Sequence, residues 1–220
     1  MTDSASSERK KPLVIAVDGP AASGKGTIAR ALATHFGLPH MDTGLLYRAV
    51  ALNLWRWGGD PSSEFEATRA CDELNLDAGD PELRSEPVSK IASAVSAYPA
   101  VRAALLERQQ SFARQPDGAV LDGRDIGTVI APHAAVKLFV TATPEVRAER
   151  RLKELEARGM HAHYADVLAD IRARDARDAS RAAAPLKQAP DALLLDTTEL
   201  PIEEAIAAAL RLVEERLASA

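Results

Sequence analysis

Residues 13–27 read Leu-Val-Ile-Ala-Val-Asp-Gly-Pro-Ala-Ala-Ser-Gly-Lys-Gly-Thr, and this stretch predicts the fold of the chain. Leu13 to Val17 is a short, mostly branched apolar run, which is typical of a strand buried in a parallel sheet. From Lys25 to Phe36 apolar side chains recur every four residues, which is typical of a helix with one buried face. The stretch therefore predicts a strand, a glycine-rich loop and a helix in direct succession.

The loop between this strand and helix has the spacing of a phosphate-binding loop, with Gly26 inserted before the threonine. Its backbone N–H groups and the positive end of the helix can surround the phosphates of a nucleotide, and a lysine can reach the terminal phosphates. The loop residues predicted to bind ATP are Gly19, Ser23, Gly24, Lys25, Gly26 and Thr27.

Further apolar runs and helical patterns alternate along the rest of the chain. Strands are predicted at Ala119–Leu121, Val136–Val140 and Ala192–Leu195, and helices at Gly44–Trp57, Val88–Ala97, Ala100–Arg114, Pro144–Arg158, Tyr164–Arg181 and Ile202–Leu217. Turn residues at 58–63 and 77–81 predict two loops, with a small mobile element between them. Strands separated by helices indicate an α/β fold with a parallel sheet.

Composition excludes several classes of protein. The 220 residues are 46% hydrophobic and 27% charged, as in globular proteins, so disorder, collagen and coiled coil are poor descriptions. A net charge of −5 argues against a broad basic surface for nucleic acid or an anionic membrane. No apolar run is long enough for a membrane helix or signal peptide. Cys71 is the only cysteine, which excludes intrachain disulfides and suggests a reducing, cytoplasmic location.

Several charged residues follow the predicted strands or share a helix face. Asp122, at the carboxyl end of a strand, is a candidate to orient magnesium or its waters, or else a turn or capping aspartate. Arg124 and Asp125 follow it on the same predicted loop and resemble ligand contacts. Two further groups of candidate ligand contacts each share one face of a predicted helix. The first group is Arg174, Asp178 and Arg181, and the second is Arg147 and Arg151. The alternative for both groups is a solvent-exposed helix face with surface ion pairs.

Four motifs together resemble a known family. Gly-Lys-Gly-Thr at 24–27 is similar to nucleoside monophosphate kinases in general, and three others resemble bacterial cytidylate kinase: residues 41–48 (Met-Asp-Thr-Gly-Leu-Leu-Tyr-Arg), 122–128 (Asp-Gly-Arg-Asp-Ile-Gly-Thr) and 174–186 (Arg-Asp-Ala-Arg-Asp-Ala-Ser-Arg-Ala-Ala-Ala-Pro-Leu). The resemblance implies a P-loop NTPase-type sheet of five parallel strands flanked by helices, with a lid and an acceptor-nucleotide region. It also implies that CMP or dCMP accepts the γ-phosphoryl group of ATP with Mg²⁺ as cofactor.

The resemblance also implies roles for individual residues. Lys25, Arg124 and Arg181 would be catalytic, and Arg147 and Arg151 would be lid arginines that bind ATP. The residues that would bind CMP are Thr43, Arg48, Ser93, Arg102, Asp122, Arg124, Asp125, Arg174, Asp178 and Arg181; among them Ser93, Arg102 and Asp125 would read the base, and Arg174 with Asp178 would contact the sugar. No residue is assigned firmly to the metal, which would arrive with ATP, although Thr27 and Asp122 could contact it through water.

The predicted organisation is a flexible lead-in at residues 1–11 and a single kinase domain at 12–220, acting as a monomer. The acceptor region would cover about 42–114 and the lid about 147–181. Many family members carry a longer β-rich insert before the segment that matches Val88–Arg102, whereas here only Asp77–Pro87 intervenes. Thr43 stands where a serine is common and keeps the hydroxyl group.

Two alternative functions remain open at the level of sequence. One is a nucleotide switch or ATP-driven binding module, but the Asn-Lys-x-Asp motif of a guanine-binding switch is not present in the sequence. The other is a P-loop kinase for a different small acceptor, since such kinases share the phosphate-binding loop. The assignment to cytidylate kinase therefore depends on the arginine-rich motifs predicted to bind the phosphate acceptor.

Overall fold

The computed structural model describes residues 12–74 and 76–219 and contains one parallel sheet. Its strands lie in the order β2-β3-β1-β4-β5. Their bounds are β1 Val14–Asp18, β2 His40–Asp42, β3 Ala119–Gly123, β4 Val136–Thr141 and β5 Leu193–Asp196. The predicted α/β fold with five parallel strands is confirmed, whereas the predicted lead-in at residues 1–11 lies outside the described residues.

Helices cover both faces of the sheet and extend beyond its edge. Their bounds are α1 Lys25–Phe36, α2 Gly44–Arg56, α3 Glu64–Arg69, α4 Glu86–Val95, α5 Pro99–Ala113, α6 Pro144–Ala157, α7 Tyr164–Ser180 and α8 Ile202–Ala218. A 3₁₀ helix spans Pro81–Arg84, and a π-helical turn spans Ile126–Ile130. Every helix predicted from the sequence is present, and its observed ends lie within two residues of the predicted ones.

Two elements were not predicted as such. Strand β2 has only three residues, two of them polar, so it shows neither an apolar run nor an alternating pattern. Helix α3 lies in the segment for which a small mobile element was expected; it begins after Ser63, whose Oγ accepts a hydrogen bond from the Glu66 N–H at 3.2 Å, and it buries Ala67 completely. The segment therefore contains a capped and packed helix, and its mobility stays a prediction.

Alternation along the strands places different side chains on the two faces of the sheet. Ile15 and Val17 of β1 pack on the side of α1 and α8, and Ala16 packs on the side of α5 and the π-helical turn. A third apolar cluster joins α2, α4 and α5, and a small fourth one joins α6 and α7 around Ala148 and Ile171. Among residues 12–74 and 76–219, no helix is long and apolar enough to cross a membrane.

Candidate active site

The phosphate-binding loop connects β1 to α1 at the carboxyl edge of the sheet, as the sequence predicts. A Cβ atom on Gly19 would lie 2.0 Å from the carbonyl oxygen of Val140, so no larger residue fits without moving the backbone of β4. Gly24 precedes α1 with a φ of +86°, a conformation that favours glycine. The Ser23 side chain is fully buried, and its Oγ has no hydrogen-bond partner among the described residues.

Lys25 and Asp122 face each other where the loop meets the end of β3. The Lys25 Nζ lies 3.9 Å from the Asp122 Oδ2, and burial lowers the pKa of Lys25 to about 8. The other carboxylate oxygen, Asp122 Oδ1, lies 2.8 Å from the His40 Nε2. His40 belongs to the unpredicted strand β2, and no motif considered in the sequence contained it, so its contact with Asp122 was missed.

Thr43 and Thr27 contribute hydroxyl groups near Asp122. The Thr43 Oγ donates to the main-chain oxygen of Asp122 at 2.9 Å, and its N–H donates to the same oxygen at 3.1 Å. Thr27 lies in the first turn of α1, and its Oγ accepts a hydrogen bond from the Arg30 Nη2 at 3.3 Å. Thr43 therefore fixes the start of α2 against β3, while Thr27 lines the cleft beside the phosphate-binding loop.

Arginines surround the space in front of Lys25, although the chain as a whole is acidic. Arg48 donates to Ser89 Oγ at 2.7 Å, and Arg124 donates to Asp178 Oδ2 at 2.7 Å. The arginines in this cluster that line the cleft are Arg48, Arg124, Arg151, Arg174 and Arg181.

Within the described residues, some arginines of this cluster are buried without enough hydrogen-bond acceptors to satisfy them. Burial lowers the pKa of Arg174 to about 9, and the neighbouring Arg124 adds to this effect. The Nε atoms of Arg174 and Arg181 are buried and have no hydrogen-bond partner among residues 12–74 and 76–219. Because several buried cations repel one another and lose hydration, an anion in the cleft would stabilise them.

A second group of polar side chains lies on α4, α5 and the loop after β3. Arg102 and Asp125 form a buried ion pair, and the Arg102 guanidinium carbon lies 5.7 Å from the centre of the Tyr47 ring. Ser93 Oγ accepts a hydrogen bond from Arg177 Nη2 at 3.2 Å, which brings α7 to α4. Arg177 was not singled out from the sequence because it resembled one more charge on a solvated helix.

The two predicted lid arginines differ in where they lie. Arg151 lines the cleft and forms ion pairs with Glu86 at 2.7 Å and Glu154 at 2.9 Å. Arg147 is only 3% exposed; its guanidinium pairs with both oxygens of Asp175 and donates to the carbonyl oxygen of Ala21. The structure thus places the Arg147 guanidinium against Asp175 and the phosphate-binding loop and not in the cleft wall, and its contact with ATP stays a prediction.

One cleft of about 1610 Å³ brings most of the predicted site residues together. This volume exceeds the roughly 300–1,000 Å³ of a pocket for one drug-sized ligand. The predicted site residues that line it are Ser23, Gly24, Lys25, Gly26, Thr27, Thr43, Arg48, Ser93, Arg102, Asp122, Arg124, Asp125, Arg151, Arg174, Asp178 and Arg181. Gly19 and Arg147 do not line it.

Comparison with known proteins agrees with this geometry. The family model described as cytidylate kinase matches residues 15–215. A cytidylate kinase from Xanthobacter autotrophicus is 60% identical over 209 residues, covering 94% of this chain and 99% of the relative, and one from Azorhizobium caulinodans is 58% identical over 205 residues, covering 92% and 98%.

A crystal structure of an uncharacterized protein from Eubacterium ventriosum has a TM-score of 0.54 and 10% identity, with 92% of this chain and 98% of that chain covered, and it shows the fold alone. The family model and the relatives span nearly the whole chain, including the phosphate-binding loop and the arginine-rich motifs. The chain therefore belongs to the cytidylate kinase family of phosphotransferases.

Proposed function

We propose that this enzyme transfers the γ-phosphoryl group of ATP to CMP or dCMP and forms ADP with CDP or dCDP. The observation that carries the proposal is the buried Arg102–Asp125 pair, which lines the same cleft as the phosphate-binding loop. Such a pair offers both a cation and a carboxylate to the edge of a base. A phosphate acceptor without a base would leave both groups without a ligand.

The reaction forms a bond between an oxygen of the CMP phosphate and the γ-phosphorus of ATP. The bond between that phosphorus and the β–γ bridging oxygen breaks, and the electron pair stays on ADP. Because phosphoryl transfer needs little covalent chemistry from the protein, positioned cations supply most of the catalysis. Lys25, Arg124 and Arg181 are the groups we assign to the charge of the transferring phosphoryl group.

The acceptor binds on the side of α2, α4 and the loop after β3. Arg48, Arg124 and Arg181 hold the acceptor phosphate. Arg174 with Asp178 contacts the sugar. Asp125 and Ser93 accept from the exocyclic amino group of cytosine, whereas uracil presents a carbonyl oxygen at the same place. A buried mismatch between two acceptors costs about 1–3 kcal/mol, which favours CMP over UMP.

Magnesium fits the donor atoms near the phosphate-binding loop. Mg²⁺ prefers oxygen ligands and keeps several waters. The Thr27 hydroxyl and the Asp122 carboxylate are oxygen groups that line the cleft, and within the described part of the chain the ionic partner of Asp122 Oδ2 is the Lys25 Nζ at 3.9 Å. These two residues would hold the ion with the phosphates of ATP, directly or through water, and the ion would neutralise charge on those phosphates.

The same proposal includes the regional organisation. Residues 12–220 form one kinase domain, with an acceptor region at about 42–114 and a lid at about 147–181 that excludes water from the reaction. We expect the protein to act as a cytoplasmic monomer in pyrimidine nucleotide metabolism, without a nucleic-acid or membrane partner.

An acceptor panel tests the proposed function against its alternatives. ADP release is measured by a coupled assay with Mg²⁺-ATP and, in turn, CMP, dCMP, UMP, AMP, GMP and gluconate. We expect CMP and dCMP to give the highest kcat/KM. A higher value for another acceptor would identify a different small-molecule kinase, and ADP release that no acceptor stimulates would indicate a nucleotide switch or ATP-driven module.

A further inference from the structure

Asp18 is a buried acidic residue whose side chain has no part in the roles described so far. It ends β1, only 4% of its surface is exposed, and the next residue, Gly19, begins the phosphate-binding loop. Its main chain therefore leads directly into the site for the phosphoryl donor.

The Asp18 side chain binds the loop on the acceptor side. Oδ1 accepts from the N–H of Ile126 at 2.8 Å, and Oδ2 accepts from the N–H of Gly127 at 2.7 Å. These are the first two N–H groups of the π-helical turn Ile126–Ile130, and the first N–H groups of any helical turn have no acceptor within it. Asp18 thus caps a turn that lies 108 residues away in the sequence.

The capped turn begins directly after the acceptor-binding residues Arg124 and Asp125. The main-chain oxygen of Asp125 accepts from Val129 at 2.9 Å and from Ile130 at 3.2 Å, so the turn and Asp125 form one hydrogen-bonded unit. The turn packs closely at Gly127, where a Cβ would lie 3.0 Å from the Lys137 side chain and 3.3 Å from Asp18 Oδ2.

We propose that Asp18 is a positioning residue that fixes Asp125 and Arg124 relative to the phosphate-binding loop. Asp18 then holds the donor and acceptor sites at a constant separation. Its main chain leads into the phosphate-binding loop of the donor site, and its side chain binds the turn that follows the acceptor-binding residues. This inference rests on the proposed function in one respect, which is that Asp125 and Arg124 contact CMP.

The ionised form of Asp18 is the one that can accept both hydrogen bonds. Burial raises the pKa of Asp18 to about 6, against the opposing effect of the two backbone N–H groups; Asp125 raises it further and Arg124 lowers it. The charged residue Lys137 also lies beside the turn, and its Nζ is bound to Asp191 at 2.8 Å. Protonation would point an O–H donor at one of the two N–H groups, which would weaken the cap.

Asp18→Asn tests the proposal, since it keeps the size of the side chain but turns an amide donor toward one N–H group. The matched control is Asp60→Asn, an exposed aspartate in the 58–63 loop. Isothermal titration gives the Kd of CMP and of ATP at pH 7.5, and Tm reports folding. We expect the Kd of CMP to rise about 10-fold in Asp18→Asn, with the Kd of ATP within about twofold of wild type, since the loss is in acceptor geometry.

Two results would overturn this role. A Kd for CMP within about twofold of wild type would show that the cap does not position the acceptor site, and equal weakening of both nucleotides would indicate a general structural role. No such change is expected in Asp60→Asn.

A measurement without substrate keeps the proposal testable on its own. In the free wild-type protein, the amide proton resonances of Ile126 and Gly127 should shift between pH 5 and 7, about one unit either side of the raised pKa, and Asp18→Asn should abolish the shift. Amides that do not titrate in wild type anywhere across the pH range in which an aspartate ionises would refute the cap, even if the variant failed to fold, whereas a transition at a lower pH would keep the cap and contradict only the raised pKa. If the protein binds a nucleotide other than CMP, the proposed function fails while these amides still report on Asp18.

Discussion

Single charges at the carboxyl edge of the sheet are central to this site, and Lys25 is the one best placed on the donor side. Its side chain is 14% exposed, and its Nζ lies within 3.9 Å of Asp122. We expect Lys25→Met to lower turnover at least about 100-fold, because a preorganised charge aimed at the transferring phosphoryl group is lost. Steady-state kinetics with CMP measure this effect, and Tm should change little.

Lys187→Met is the control for that substitution, since Lys187 is an exposed lysine outside the cleft. It should have wild-type turnover. Near-normal turnover in folded Lys25→Met would remove Lys25 from the catalytic groups.

Base choice depends, in our proposal, on the Asp125 carboxylate. Asp125→Asn can turn an amide donor toward the carbonyl of uracil and loses a charge-assisted bond to cytosine, so the CMP:UMP ratio of kcat/KM should fall about 10-fold. Asp117→Asn, an exposed aspartate just before β3, provides the control. An unchanged ratio in Asp125→Asn would show that another residue reads the base.

We expect Asp18 to make the free energy of unfolding depend on pH. Its folded-state pKa of about 6 lies above the ordinary value of 3.8, so between about pH 4 and 6 the folded state keeps a proton that the unfolded state releases. The contribution of Asp18 to the free energy of unfolding therefore falls as pH rises through this window, by about 3 kcal/mol at most, and the loss persists at pH 7.

Urea unfolding of wild type and Asp18→Asn at pH 4 and pH 7 measures this contribution. The stability of the variant relative to wild type should improve as pH rises, since asparagine does not ionise. A difference between the two proteins that does not change with pH would contradict the raised pKa of Asp18.

At the scale of elements, α6 and α7 reach across the cleft to the acceptor region. Arg151 of α6 pairs with Glu86 of α4 at 2.7 Å, Arg158 donates to the Arg84 carbonyl at 3.0 Å, and Arg177 donates to Ser93. These contacts join a helical hairpin to α4 and the 3₁₀ helix, with the substrate cleft between them. We interpret the hairpin as the lid, closed over the cleft.

Hydrogen exchange tests this interpretation. With CMP and a non-hydrolysable ATP analogue, amides at 147–158 and 172–181 should gain protection, because both ligands add contacts to the closed lid. Amides 208–218 in the later part of α8, which lines the cleft only at Ile202 and Ala205, serve as the internal reference. Equal exchange in the free and bound protein would mean that these helices do not act as a lid.

At the scale of the whole molecule, the sequence predicts those features that depend on local periodicity and spacing. The strand, loop and helix at 14–36 follow from an apolar run, a glycine-rich loop and a helical repeat, each readable within a few residues. Strand β2 could not be predicted, because its three residues are held by pairing with β3 and not by an apolar pattern of their own.

Contacts between distant residues account for the parts of the site that sequence reasoning missed. His40 and Asp122 are 82 positions apart, and Asp18 and Gly127 are 109 apart, so neither contact leaves a spacing that can be recognised. For Arg147 the sequence correctly predicted its position one helical turn from Arg151. It could not predict the ion pair with Asp175, which lies on another helix and determines the orientation of the Arg147 guanidinium. The family motifs indicated which residues cluster, and only the fold shows which of them pair with one another.

The most direct test of the central claim is a competition in a single reaction. The protein is given Mg²⁺, limiting ATP and equimolar CMP and UMP, and CDP, UDP and ADP are quantified by chromatography. We predict that CDP exceeds UDP at least about 10-fold, in line with the cost of one buried acceptor mismatch, and that CDP and UDP together equal the ADP formed. ADP formed without CDP, or UDP equal to CDP, would contradict the account.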